Sequence, residues 1–520
     1  MSRPEGWYRL GWALTLFGMP LSNPVMSLGL MAFAAAWLFD RWRGGDAVQP
    51  SKGLLAGVLG LAVLQLIALL WSEDVGAGVR LLKNEGPFFA FVLLAATGRW
   101  DREWAGQWVP RMLGGAVLAA SIAMWSYGWW RESQGEFLRA RDWSPFISHV
   151  RFSLLAAWAA GWWTLLALRG RMPPLAVVVL VAVGGATVAR TGSVTGALLV
   201  PLAVGGAVGL EAQSRVVRRL LAGGAGMVLV GAGVAVWHLR AQYPDPAGLE
   251  YHTPYGGVYT HALDKSLREN GTFVWTYVCA QELDSAWLAR TGRPLAGSDG
   301  RGQDLRTTAI RHLSSLGLRK DADGVAALSD ASVAHIFQGI PTVSELQHRG
   351  LRRRWDVLAF EWANRRDGGD PSGNSVVQRI EFARAAFWVV VHHPWIGVGT
   401  GDVERGLAHA YAEVNSPLDP EFRLRPHNQY LTILVEAGPL ALFAWLVALA
   451  SVWKLPGTWT SAARMFILLL AVSCLTEDTL ETQAGATFAG VFMGFFAGAA
   501  AAGRPLRPQE PPDPPREPHP

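Results

Sequence analysis

The chain has 520 residues, of which 51% are hydrophobic and 17% are charged. Soluble proteins carry about 25% charged residues, and residues 240–425 have ordinary polarity, so the remainder is strongly apolar and a wholly soluble protein is excluded. The net charge of +5 fits basic loops on one side of a membrane rather than nucleic-acid binding.

The two cysteines, Cys279 and Cys474, predict neither a disulfide framework nor a zinc site. The first apolar run leads directly into a second, so we expect a retained span rather than a cleaved signal peptide.

Twelve apolar stretches have roughly the length that crosses a bilayer. They fall near residues 7–22, 24–40, 53–71, 80–97, 108–129, 151–168, 173–189, 193–209, 220–238, 430–453, 461–477 and 484–502. The lysines and arginines of the short loops share one face when the spans alternate from a cytoplasmic N-terminus. We therefore predict an all-α polytopic membrane protein. Its parts are a nine-span bundle (1–238), a mostly helical periplasmic insert (239–429), three further spans (430–502) and a disordered cytoplasmic tail (503–520).

Helical periodicity in the insert predicts a series of amphipathic helices. They are expected at 285–289, 305–316, 325–328, 333–337, 351–363 and 375–392. The glycine-rich turn 397–401 follows a helix rather than a strand, which argues against nucleotide binding. No histidines or carboxylates stand at metal-ligand spacing, so no metal is expected.

His427 lies in Arg-Pro-His-Asn-Gln-Tyr, residues 425–430, at the lip of a long apolar run. An imidazole placed there can accept a proton from a hydroxyl group. The alternative is a helix-capping or interfacial histidine.

Several basic side chains are predicted on the same side of the membrane as His427. They are Arg80 and Lys83 in the fourth span, His149 and Arg151 in the sixth, Arg190 at the end of the seventh, and Arg379 in the insert. Guanidinium groups suit phosphate oxygens, so cations that meet from separate helices can hold a diphosphate. The alternatives are lipid contacts, structural salt bridges and plain surface exposure.

Glu477, Asp478 and Glu481 form an acidic cluster at the outer end of the eleventh span. They can orient an arginine or His427, or they can be solvated loop charges.

Seven motifs resemble those of one family. They are 425–431 followed by Gly438, 393–402, 148–154, 189–192 and 477–483, with 269–271 and 318–325 in the insert. Between about residues 50 and 500 the chain resembles the O-antigen ligase family of bacterial inner-membrane proteins, which is related to O-antigen polymerases and O-linked oligosaccharyltransferases.

The resemblance implies a metal-independent, inverting glycosyl transfer in the periplasm, without a cofactor. The donor would be a glycan on undecaprenyl diphosphate, and the acceptor would be lipid A–core or another glycan or protein. His427 would be catalytic, and Arg190 and Arg379 would hold the diphosphate.

Arg80, Lys83 and Arg151 are candidates for the same diphosphate, and His149, Asn428, Arg425, Glu477 and Asp478 for support. The family often has Ser-Arg before a small residue at the junction of spans seven and eight, whereas Ala189 precedes Arg190 here. If Val194 is the aligned position, the family arginine is missing.

Two alternatives remain at this stage. A polysaccharide polymerase or a protein O-glycosylating transferase would use the same chemistry on another acceptor. A transporter or flippase is disfavoured by the large one-sided insert and by the expected absence of ionisable residues at mid-span.

Overall fold

The computed structural model describes residues 3–45, 48–136, 138–212, 248–265 and 267–502. The predicted ninth span, 220–238, and the predicted tail, 503–520, lie outside these residues. In the described part, α-helices dominate, and the strands are one antiparallel pair, β1 (Arg268–Glu269) and β2 (Thr272–Phe273).

The apolar stretches form eleven helices within the described residues. Eight precede the insert: α1 (Arg3–Leu21), α2 (Asn23–Trp42), α3 (Lys52–Ala68), α4 (Val75–Thr97), α5 (Arg102–Ser133), α6 (His149–Leu168), α7 (Pro174–Arg190) and α8 (Val194–Glu211). Three follow it, and they are α17 (Gln429–Trp453), α18 (Thr460–Thr476) and α19 (Gln483–Ala502).

Six of these helices are long and apolar enough to cross a membrane. They are α3 with its extension to Trp71, α5, α6, α8, α17 and α19. Helices α7 and α18 are apolar but shorter. An all-α membrane protein is therefore supported, whereas twelve crossings and a periplasmic insert remain predictions.

The insert contains a second set of helices. They are α9 (Ala280–Thr291), α10 (Leu305–Ser315), α11 (Ala322–Ala326), α12 (Asp330–Phe337), α13 (Ser344–Gln347), α14 (Gly350–Arg366), α15 (Ser375–His392) and α16 (Val403–Glu413). A core that includes Trp287, Leu313 and Ile336 holds α9–α12 together. Phe382 and Tyr411 belong to a separate core that joins α15 and α16 to α17.

Small residues let the bundle helices approach closely. On α19, Gly490, Gly494 and Gly498 recur every four residues and face α4. A Cβ atom at any of them would lie 2.5 to 2.7 Å from a backbone carbonyl oxygen of α4. Small residues at this spacing drive close packing between membrane helices, where side-chain hydrophobicity gives no advantage over lipid.

Helix α17 is broken at Gly438 and Pro439. Gly438 has φ of +77°, and a side chain there would collide with the carbonyl oxygen of Trp395. Pro439 has no N–H, so the carbonyl of Val435 loses its helical partner. The backbone N–H of Val398 donates to that carbonyl at 2.8 Å, and the glycine-rich turn thereby repairs the break.

The same turn ties three bundle helices together. The backbone N–H of Gly399 donates to the carbonyl of Glu436 in α17 at 3.0 Å. The hydroxyl of Thr400 donates to the carbonyl of Gln65 in α3 at 2.7 Å. The carboxylate of Asp402 accepts two backbone N–H groups just before α4, at 2.8 and 3.1 Å. This turn positions the chain that leads to residues 425–430.

Candidate functional site

His427 sits in a strained turn before α17. Its φ is +50°, a left-handed conformation that is uncommon for a residue other than glycine and costs on the order of 1–3 kcal/mol. Its backbone N–H donates to Oδ2 of Asp478 at 3.1 Å, and its ring Nδ1 lies 3.5 Å from the same oxygen. The imidazole is one-third exposed (34%) and contacts the ring of Phe382 at a centroid distance of 5.6 Å.

The residues after His427 fix this turn to the end of α18. Asn428 caps α17, since its side-chain oxygen accepts two backbone N–H groups of the first turn. Its amide Nδ2 donates to the carbonyl of Leu475 at 3.1 Å. The side-chain oxygen of Gln429 accepts the N–H of Leu480 at 2.7 Å. The position of His427 therefore depends on the segment between α18 and α19.

Arg425 is paired on the other side of the turn. Its guanidinium lies 2.9 Å from Glu481 and 3.7 Å from Glu404. Burial and, to a smaller extent, the negative charge of Asp478 raise the pKa of Glu481 to about 8. The positive charge of Arg425 lowers the pKa of Glu481 and partly offsets them. The pair anchors residues 425–427 to the loop that carries Asp478.

Arg379 and His427 are held by two consecutive acidic residues, Glu477 and Asp478. Its guanidinium is 2.7 Å from Glu477, and the next residue, Asp478, holds His427. The structure therefore brings together the predicted catalytic histidine, one predicted diphosphate arginine and both predicted supporting acids.

A cavity of about 1290 Å³ lies between the bundle and α14. Its lining includes the predicted residues His149, Arg190, Arg379 and Glu477. Among the described lining residues, eleven arginines face six carboxylates. An excess of guanidinium groups in one chamber favours a negatively charged ligand.

Arg190 lies on another wall of this cavity and is already engaged. It is 2.9 Å from Glu132, which also lies 2.8 Å from Arg349. Its guanidinium stacks on the ring of Trp143 at 3.8 Å, and only 12% of its side chain is exposed. Arg190 and Arg379 thus share one cavity, but Arg190 is a fixed part of its wall.

The other predicted cations are placed differently. Arg151 lines a separate narrow pocket together with Glu477. Arg80 and Lys83 point outward from α4, outside the cavity lining, and Arg80 is 73% exposed with Asp74 at 3.9 Å.

Nine of the eleven cavity arginines were not among the predicted site residues, and Arg354 and Arg141 are two of them. Arg354 of α14 lies 3.5 Å from Glu361. Burial lowers the pKa of its guanidinium, Glu361 partly offsets this, and the nearby charge of Arg379 lowers it further. Arg141 is exposed, lines the cavity and makes no ion pair with the described residues. The tripeptide Arg-Arg-Arg at 352–354 was the available signal in the sequence.

The expected absence of ionisable residues at mid-span is wrong. Glu85, in the middle of α4, and Glu436 of α17 are both buried. The amide of Gln65 in α3 donates to Glu85 at 2.8 Å and to Glu436 at 3.3 Å. Polar partners from three helices make this burial possible. The amino-acid composition of these helices does not reveal that Gln65 bridges the two buried glutamates.

The fold and this site together define an all-α membrane protein with an arginine-rich chamber. Within the described ranges, no three His, Cys, Asp or Glu side chains are grouped as a metal ion would need.

Residues 313–446 match the family model described as O-antigen ligase. The match covers 134 of the 520 residues and confirms, for this segment, the resemblance inferred from the motifs. The family implies a multi-pass membrane enzyme that transfers glycans. The comparison with curated proteins found no match.

Proposed function

We propose that the protein is an inverting, metal-independent glycosyltransferase of the bacterial inner membrane. It moves a glycan from undecaprenyl diphosphate to an acceptor hydroxyl in the periplasm, with lipid A–core as the acceptor. The observation that carries the proposal is that Arg379, in the lining of the arginine-rich cavity, pairs with Glu477, and that the next residue, Asp478, contacts His427.

His427 acts as the general base in this mechanism. It accepts the acceptor hydroxyl proton while the hydroxyl oxygen forms a bond to the anomeric carbon. The bond from that carbon to the diphosphate oxygen breaks, and undecaprenyl diphosphate leaves with the electron pair. Attack opposite the leaving group inverts the anomeric configuration.

The cavity arginines stabilise the charge that develops on the diphosphate. Arg379 is the first of them, because its partner Glu477 directly precedes Asp478, which contacts His427. Arg354 and Arg141 line the same cavity, and Arg190 adds positive charge from its wall. Arg151 lines a separate pocket with Glu477, and Arg80 and Lys83 lie outside the cavity lining, so we assign the diphosphate to the cavity arginines.

Replacement of the histidine tests the proposal. His427→Ala is expected to abolish glycan transfer to lipid A–core while the protein accumulates normally in the membrane. His252→Ala removes an exposed histidine of the insert and serves as the matched control. Normal transfer by His427→Ala at a normal protein level would remove His427 from the mechanism.

The lipid-linked glycans of a deletion strain test the acceptor. Long chains that accumulate on the lipid carrier, together with loss of capped lipopolysaccharide, are expected for a ligase. Single repeat units would instead indicate a polymerase, and intact lipopolysaccharide with unglycosylated protein would indicate a protein O-glycosylating transferase.

A further inference from the structure

The cavity is larger than a diphosphate requires. Its volume of about 1290 Å³ exceeds the range of roughly 300–1,000 Å³ that is usual for pockets of drug-sized ligands. The part of the lining that α14 and the rest of the insert provide therefore has room for a further part of the substrate besides the leaving group. The charges on that wall indicate what it contacts.

Two carboxylates in the cavity lining, Glu345 of the insert and Glu132 at the end of α5, are each shared by two arginines. Glu345 lies 2.9 Å from Arg301 and 3.1 Å from Arg353. Glu132 is shared in the same way by Arg190 and Arg349. Each group of two guanidiniums and one carboxylate retains one net positive charge.

The two groups are joined along one helix. Arg349 immediately precedes α14, Arg353 lies in its first turn, and both side chains line the cavity. Glu345 is only 10% exposed and holds Arg353 in place, which reduces the entropy that the arginine would lose on binding. Arg349 is 57% exposed and lines the cavity while it is paired with Glu132.

We propose that this arginine row binds the carboxylate, phosphate or sulfate groups of an acidic glycan. The inference rests on the proposed function only in taking a glycan as substrate. A planar guanidinium fork pairs with two oxygens of such a group at once. A neutral sugar offers hydroxyl groups alone and leaves the excess positive charge uncompensated.

Binding of a defined oligosaccharide tests this proposal without any transfer reaction. The full chain is placed in nanodiscs of phosphatidylcholine, and calorimetry compares trigalacturonate with its fully methyl-esterified form, which has the same sugars without charge. We expect the acid to bind about tenfold more tightly, as one charge-assisted bidentate contact implies. Equal affinities for the two would overturn the proposal.

Variants locate the binding. Arg353→Gln is expected to remove the preference for the acid, whereas Arg352→Gln, an exposed neighbour outside the cavity lining, retains it. Glu345→Gln keeps a side-chain oxygen that can accept from Arg353 and adds one net positive charge, so it is expected to bind trigalacturonate several-fold more tightly. Unchanged or weaker binding by Glu345→Gln would show that the group is only structural and would overturn the proposal, even if Arg353→Gln fails to fold.

Two further arms separate other sources of anions. Nanodiscs that contain phosphatidylglycerol are expected to leave trigalacturonate binding unchanged, and displacement by this lipid would assign the row to headgroups. Inorganic phosphate at equal concentration is expected to compete poorly, and equal competition would assign the row to a free anion. Either result overturns the glycan assignment. Equal affinities of the wild type for the acid and its ester, together with His427-dependent transfer, would refute this inference alone. An acid preference in the wild type without His427-dependent transfer would refute the proposed function alone.

Discussion

Oδ2 of Asp478 accepts the backbone N–H of His427 at 3.1 Å and lies 3.5 Å from Nδ1 of the same residue. One carboxylate oxygen therefore stabilises the left-handed backbone and faces the ring. The other oxygen, Oδ1, accepts the hydroxyl of Thr432 at 2.8 Å, which fixes the carboxylate. In the proposed mechanism Asp478 is a positioning residue, and Nε2 of His427 accepts the proton.

Asp478→Asn tests this role. The amide retains the shape but removes the negative charge beside Nδ1, so we expect kcat for glycan transfer to fall about 100-fold, within the usual range for general acid–base catalysis. KM for the donor is expected to change little. Asp419→Asn, an exposed substitution, is the control. A rise in KM without loss of kcat would indicate that Asp478 acts in binding instead.

Arg379→Gln tests the diphosphate assignment. Loss of the guanidinium removes a charge-assisted contact, so KM for the lipid-linked donor is expected to rise about tenfold or more. Arg384 lies on the same helix, pairs with Glu381 and does not line the cavity, so Arg384→Gln serves as the control. If both variants have the same donor KM as the wild type, Arg379 does not contact the diphosphate.

Lys320 gives the insert a predictable pH dependence. Its amine is buried and donates to the carbonyls of Phe273 and Thr276 at 3.1 and 3.0 Å. Burial lowers the pKa of Lys320 from 10.5 to about 8, with Asp321 acting in the opposite direction.

The unfolded insert therefore binds more protons than the folded insert between pH 8 and 10.5, and stability should rise with pH across that window. Below pH 8 the amine is protonated in both states, so the slope vanishes and burial of the charged amine destabilises the fold in full. Thermal unfolding of the full chain at several pH values measures the slope, which Lys320→Met should remove and Lys265→Met should keep. Identical slopes for the wild type and Lys320→Met would contradict the prediction.

Gly438→Ala tests the break in α17. The substitution adds a Cβ atom at a positive φ and against the carbonyl of Trp395, so both strain and collision destabilise the fold. Gly170 also has a positive φ, of +67°, but nothing lies within 4 Å of its Cβ position. Gly170→Ala is expected to cost about 1 kcal/mol, and Gly438→Ala clearly more, measured as membrane accumulation and melting temperature. Equal effects would mean that the close approach is unimportant.

Local patterns in the sequence predict the helices well. The helix at 375–392 appears with those bounds as α15, because an amphipathic period and a Pro-Gly stop define it completely. The fourth apolar stretch, however, begins at Val75 rather than residue 80. Asp74 accepts the N–H of Ala77 at 2.8 Å and starts the helix there, and an estimate based on apolar length overlooks a capping carboxylate.

Contacts between distant segments could not be predicted. His427 was identifiable from its motif, but the pairing of Glu132 with Arg349 depends on how the insert folds back onto the bundle. The side-chain amide of Gln65 donates a hydrogen bond to Glu436, which lies 371 positions later in the sequence. Each of these side chains has an ordinary neighbourhood in the sequence, and only the packing gives it a role.

The repair of the α17 break has a consequence for biosynthesis. The segment that supplies the N–H groups of Val398 and Gly399 leaves the ribosome before α17 does. The exposed carbonyls of α17 thus meet waiting donors as this helix enters the lipid, where no water would replace them. Moving residues 397–402 to a position after α17 by circular permutation would reverse that order and leave the newly inserted helix unsatisfied.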